Sequence, residues 1–179
     1  MVSPLVDSFP LALQVVDPAL IVEADVREDL RAGREPFQRI MAARAELPDG
    51  GTLVVRAIFE PAPLYRVLGK QGFLHHTEEL AADDWRVWFY ADVVVLDVRD
   101  MDPPEPLAHT LAALESLPQH GTLVQVNVRV PQFLLPRLTE RGFTYEIREI
   151  APDRVHVVIR RAADAAVTTS LNQEGHDHV

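Results

Sequence analysis

The sequence predicts an α/β protein of the two-layer (α+β) sandwich type, made of two repeats of βαβαββ. Each repeat is expected to be a four-stranded mixed sheet with two helices on one face. Three observations carry this. First, the 179-residue chain matches itself at a single offset of 70: Glu35-Pro36 on Glu105-Pro106, Leu47-Pro48 on Leu117-Pro118, Gly51-Thr52-Leu53-Val54 on Gly121-Thr122-Leu123-Val124, and Gly72-Phe73 on Gly142-Phe143. Second, each copy alternates β-branched runs with amphipathic stretches opened by proline. Third, a long period present only twice describes two small domains, because a solenoid needs three or more units.

In order, residues 1–19 carry Pro4, Pro10 and Pro18, which forbid a long helix and predict an extended arm lying on the first unit. The first unit spans 20–91 and the second 92–161. Leu20 to Val26 and Val93 to Val98 read as opening strands. Asp25-Val26-Arg27 meets Asp97-Val98-Arg99 at an offset of 72, so the first copy holds two extra residues in the polar loop that follows. Pro36 and Pro106 then stand in a first helical turn, where a missing N–H costs nothing. Glu35 and Glu105 beside them suit the positive helix end. Phe37, Ile40, Met41 and Leu47, and in the second copy Leu107, Leu111, Leu114 and Leu117, are spaced as one buried stripe.

Strands follow at Thr52 to Ile58 and Thr122 to Val128. Val124, Val126 and Val128 alternate with Gln125 and Asn127, which reads as a strand with Gln125 and Asn127 on a wet face; in the first copy Val55 and Ala57 take that outer face. Second helices run from about Pro61 to Gln71 and Pro131 to Arg141, closed by Gly72 and Gly142. Two hairpins, Phe73–Ala91 and Phe143–Arg161, complete the units. Right-handed crossovers put both helices on one face. By alternation the bare face carries His76, Glu78, Arg86, Trp88 and Tyr90 in the first unit, and Glu146, Arg148, His156, Val158 and Arg160 in the second. Val55, Trp88 and Tyr90 are interface candidates on an apolar patch that packs against the second unit or a partner chain. Residues 162–179 have no apolar period and read as a flexible tail.

Composition narrows the function. Formal net charge is −10, distributed as −3 over 21–91, −2 over 92–161 and the rest at the two ends. No segment has the basic footprint that nucleic acid or an anionic membrane requires. No apolar run nears 18 residues and the N-terminus lacks a positive start, so a cytoplasmic location without membrane or signal segment is expected. The absence of cysteine excludes disulfides, thiolate metal sites and sulfur nucleophiles.

Leu96-Asp97-Val98-Arg99, a short loop, Pro103-Pro104-Glu105-Pro106, an amphipathic helix, Leu117-Pro118 and a glycine-led strand resemble the SirA/TusA-like sulfur-carrier superfamily. Glu60-Pro61-Ala62-Pro63-Leu64-Tyr65, Gly72-Phe73 and Asp84-Trp85-Arg86-Val87 are closer to an uncharacterised conserved domain family related to those carriers and often found in tandem. The resemblance covers about 20–161 and implies the same two-layer sandwich. It also implies a persulfide-bearing cysteine before the first helix, but Pro103 stands there in the second copy and Gly33-Arg34 precede Glu35-Pro36 in the first, so persulfide carriage is excluded. A histidine-aspartate pair that relatives carry before the second helix is replaced by Ile58-Phe59-Glu60 and Val128-Arg129-Val130.

Candidate site residues are Arg27, Arg34 and Glu35, with Arg99, Asp102 and Glu105. Each set is either a charged anion pocket at a helix start or a group of structural ion pairs and caps. His75 and His76 are the metal candidates, one of them joined by His109, His120 or a nearby carboxylate, because neighbours on a strand point to opposite faces and cannot share an ion without a bulge. His75, matching Tyr145, is expected partly buried, and His76, matching Glu146, exposed. His176-Asp177-His178 would chelate only from a tail. Trp85, Trp88 and Tyr90 read as interface or core before they read as a stacking platform. No catalytic triad, phosphate loop or Glu-x-x-His helix is present. The expected function is a non-catalytic interaction or adaptor module with no cofactor, using a protein partner or self-association. The alternative is a small-ligand or metal-binding accessory protein of redox or nitrogen-oxide metabolism.

Overall fold

A computed structural model describes residues 9–162. It contains two four-stranded sheets. In the first, β1 (Ile21–Asp25), β2 (Thr52–Ala57), β3 (Leu74–Ala81) and β4 (Asp84–Tyr90) are ordered β1-β2-β4-β3; in the second, β5 (Val94–Asp97), β6 (Thr122–Asn127), β7 (Phe143–Ala151) and β8 (Arg154–Arg161) are ordered β5-β6-β8-β7. The opening pair is parallel in each and the rest antiparallel, which gives two mixed sheets of identical topology. The helices are α1 (Leu11–Gln14), α2 (Arg27–Arg31), α3 (Phe37–Ala45), α4 (Ala62–Gly69), α5 (Glu105–Glu115) and α6 (Leu134–Glu140). The fold is therefore the expected two repeats of a four-stranded mixed sheet with helices.

Each unit has its own core between sheet and helices. The first joins Ile40, Leu64 and Leu68 from the helices to Leu53, Val55, Val87 and Phe89 from the sheet; the second joins Leu114, Leu134 and Leu138 to Leu123, Val157 and Ile159. Arg44 stands where the second copy has Leu114. Its guanidinium lies 4.9 Å from the Phe73 ring centroid and its Nε donates to Gln71, so the stem covers the core while the charge stays outside. Gly72 and Gly142 take φ of +90° and +78° after α4 and α6, the left-handed closure that their position predicts.

Three expectations need correction. The polar loop after β1 is not a loop in the first unit: Arg27–Arg31 forms α2, and its Leu30 packs on the first core. The two residues that the first copy holds in excess lie in this segment. The faces of β2 and β6 are also reversed. Val55 and Ala57 belong to the helix-side core, and Val54 is the residue that shares the outer face with its neighbour Trp88. Likewise Gln125 and Asn127 point to the helix side and are buried, whereas Val124 faces outward with Val158. A period of two says which residues share a face but not which face the helices cover. Finally, His75 is exposed and His76 half-buried, the reverse of the expected order.

The outer faces are covered by the chain's own N-terminal segment. Phe9, Ala12 and Leu13 pack with Trp88 and Tyr90 on the first unit, Leu11 and Val15 pack with Val124 and Val158 on the second, and Val93 joins both groups. Phe9 meets both His76 and Trp88 edge-on. The Arg160 guanidinium donates to the Val15 carbonyl at 2.5 Å, and Arg148 donates to the Gln14 carbonyl. The arm thus lies on both units and includes one helical turn, because Pro10 opens it and Asp17 caps the next turn through the Ala19 N–H. The expectation for the tail and for His176-Asp177-His178 lies outside the described residues.

Candidate functional site

The charged loops form paired clusters. In the first unit Arg27 donates from Nε and Nη2 to both oxygens of Asp25 and lies 3.4 Å from Asp84, which also receives three bonds from Arg56. The Arg27 guanidinium holds the Asp25 carboxyl down at about 2, against burial that works the other way. Arg56 lowers Asp84 in the same manner. Arg34 and Arg39 both bind Asp29, lowering it too. Glu35 accepts the Phe37 N–H and so caps α3. In the second unit Arg99 grips Asp97 with two nitrogens and lowers its pKa. The Asp102 carbonyl accepts the Glu105 N–H, and Glu105 opens α5. Arg27, Arg34 and Arg99 are each committed to a carboxylate, which is the arrangement of structural pairs and caps.

His75 and His76 diverge as strand geometry requires. His75 stacks on Tyr65 with centroids 3.9 Å apart, and His76 lies against Phe9 on the other face. Among the described residues no three histidine or acidic side chains gather as a metal site would need. On the outer face Glu78 accepts from Arg86 at 2.6 Å and from the Trp88 indole at 2.7 Å; burial would raise its pKa, and these two donors outweigh it and lower it.

A ligand-sized concavity lies elsewhere. A cleft of about 860 Å³ opens in the second unit at the carboxyl ends of the parallel strands β5 and β6, between the starts of α5 and α6. That is the end of an open α/β sheet where ligands are received. The β5–α5 loop supplies Val98, Arg99, Met101, Pro103 and Pro104 as one wall, and α5 adds Pro106 and Leu107. The other wall is the β6–α6 connection with Val128, Arg129, Val130 and Phe133, followed by Leu134 and Arg137 of α6. Gln125 and Asn127 also line it. Gln125 Nε2 donates to Thr110 Oγ1 at 2.7 Å, and Thr110 donates to the Pro106 carbonyl one turn back at 2.7 Å. Asn127 Nδ2 reaches Gln125 Oε1 at 3.4 Å, while its own Oδ1 accepts the Val128 N–H.

The first unit is built differently here. At the matching offset Thr110, Gln125 and Asn127 are replaced by Ile40, Val55 and Ala57, and the shorter proline-rich loop of the second unit is replaced by the segment that forms α2. Sequence reasoning named Arg99 in this region but missed the cleft. The available signal was the joint change of three core positions from aliphatic to polar between copies.

Fold and site together define a tandem pair of small α/β sandwiches whose second member carries a ligand-sized cleft. The family described as Uncharacterized conserved protein (DUF2249) matches the chain twice, at residues 23–91 and 95–161, and the chain belongs to it. No curated protein and no solved structure gave a significant match. No described helix is long and apolar enough to cross a membrane.

Proposed function

We propose that this protein is a non-catalytic small-molecule-binding module, with the cleft of the second unit as receptor and the first unit as its structural partner. The observation that carries this reading is the cleft's construction: apolar walls over a buried line of Thr110, Gln125 and Asn127. Pockets for small organic molecules have this size and this ratio of apolar wall to a few fixed polar groups. The resemblance to SirA/TusA-like carriers supports the location, since Pro103 stands at the position of their cysteine and lines the cleft; without a thiol, binding rather than sulfur transfer is the use left to it.

The adaptor reading ranks second. Its contact surface is either the outer face or the first-helix loops, and the outer face at Trp88 and Tyr90 is occupied by Phe9, Ala12 and Leu13 of the same chain.

The test is a screen of a fragment library holding neutral, anionic and cationic members, followed by amide chemical shifts. Binders are expected to shift residues 98–107 and 125–137. A library in which no member moves those amides, or whose binders map to the charged clusters instead, overturns the reading.

A further inference from the structure

Resting on that reading, we infer the chemical class of the ligand: the cleft receives an amphipathic organic anion, an apolar body ending in a carboxylate. The charged side chains that line it are Arg99, Arg129 and Arg137, with no aspartate or glutamate among the lining residues, in a chain of net charge −10. Arg99 is already committed to Asp97. Arg129 and Arg137 are exposed and form no ion pair with any described residue, although most other arginines described here do.

The neighbouring loop carries Asp100 and Asp102, and α5 opens with Glu105, but none of the three is among the lining residues. The mouth therefore offers two free guanidinium groups, which match carboxylate geometry better than any other anion-binding side chain. Asn127 uses one amide hydrogen on Gln125 and Oδ1 on the following N–H groups, which leaves a second amide hydrogen for the ligand's carboxylate. Behind them Met101, Leu107, Val130 and Leu134 supply apolar wall. Phe133, 86% exposed, and Val128, 42% exposed, stand uncovered at the rim, where an apolar tail would shield them.

The test compares octanoate, octan-1-ol and octylamine on the full chain, read by amide shifts of residues 126–137. Octanoate should bind at least about tenfold more tightly than either of the others, the equivalent of one good charge-assisted contact. Arg129→Ala with Arg137→Ala should reduce octanoate to the affinity of octan-1-ol and leave octan-1-ol unchanged. Arg129→Glu with Arg137→Glu should turn the preference toward octylamine. Both positions are exposed, so thermal melting of the variants should match the parent.

Octan-1-ol binding as tightly as octanoate, or an octanoate affinity indifferent to both pairs of substitutions, overturns the anion inference and leaves the cleft as a receptor for neutral molecules. Failure of all three probes to move the cleft amides also overturns it, while the library screen decides separately whether the cleft binds anything.

Discussion

Gln125 Nε2 and Thr110 Oγ1 are 2.7 Å apart and neither residue has any exposed surface. The bond ties β6 to α5 beneath the cleft, in a place where the first unit has Val55 and Ile40. Thr110→Val keeps the shape and removes the acceptor, leaving a buried amide hydrogen unpaired, which costs about 1–3 kcal/mol. Combining it with Gln125→Val and Asn127→Ala removes the polar group along with its partner, so the triple variant should lie within about 1 kcal/mol of the parent. Urea midpoints at constant slope measure both. A silent Thr110→Val would mean that the line of polar groups is not holding the cleft floor.

The N-terminal segment is expected to be a structural part of both units. Val15 is 2% exposed between Val124 and Val158. Val15→Ala deletes two buried carbons at about 0.8 kcal/mol each, and the residual cavity brings the loss to about 2 kcal/mol. Removing residues 1–16 uncovers Trp88, Tyr90, Val124 and Val158 together. The truncated chain should show red-shifted Trp88 fluorescence and self-associate in sedimentation, as large uncovered apolar patches do. A truncated chain that stays monomeric with unchanged emission would show that the segment does not cover these faces in solution.

What could be read from the sequence follows from what repeats. The offset of 70 residues fixes element order, because each proline-opened helix and glycine-closed turn recurs in register. Alternation correctly grouped Trp88 with His76 and Arg86, since their spacing is local. It failed at Val55 and Gln125, where the helix-covered face is set by which residues α3 and α5 present, a tertiary fact. The cleft was hidden for the same reason: its walls come from two connections about 25 residues apart, and Gln125 looked like a surface residue because a polar side chain in an alternating strand normally is one. The absence of any thiol was legible at once, being a matter of residue type alone.

Acid sensitivity is predicted at the Asp25 carboxyl. The bonds from Arg27 hold it at about 2, below its ordinary value of 3.8. A depressed carboxylate stabilises the fold fully above the unfolded value and loses that contribution as pH falls from about 4 towards 2. Asp25→Asn should be less stable than the parent at pH 7, and the gap should close on acidification through that window. Equal stability of the two proteins at pH 7 would make the pair a solvated contact with no net effect.

His156 acts at milder pH. It sits on the outer face of the second unit, opposite Val126 on β6 and Arg148 on β7. Its pKa is lowered from 6.5, first by burial and then by Arg154, Arg148 and Arg99, with Asp97 opposing. Above 6.5 the ring is neutral in folded and unfolded chains alike and contributes nothing to the pH dependence. Below it the unfolded chain takes up the proton more readily, so stability falls as pH drops from 6.5 through the lower folded value. His156→Gln removes the titration while keeping a polar side chain, and its urea midpoint should change less between pH 7.5 and 5.5 than the parent's. If the two slopes coincide, the ring is solvated, and the N-terminal segment that packs on Val124 and Val158 does not reach far enough across the sheet to shield it.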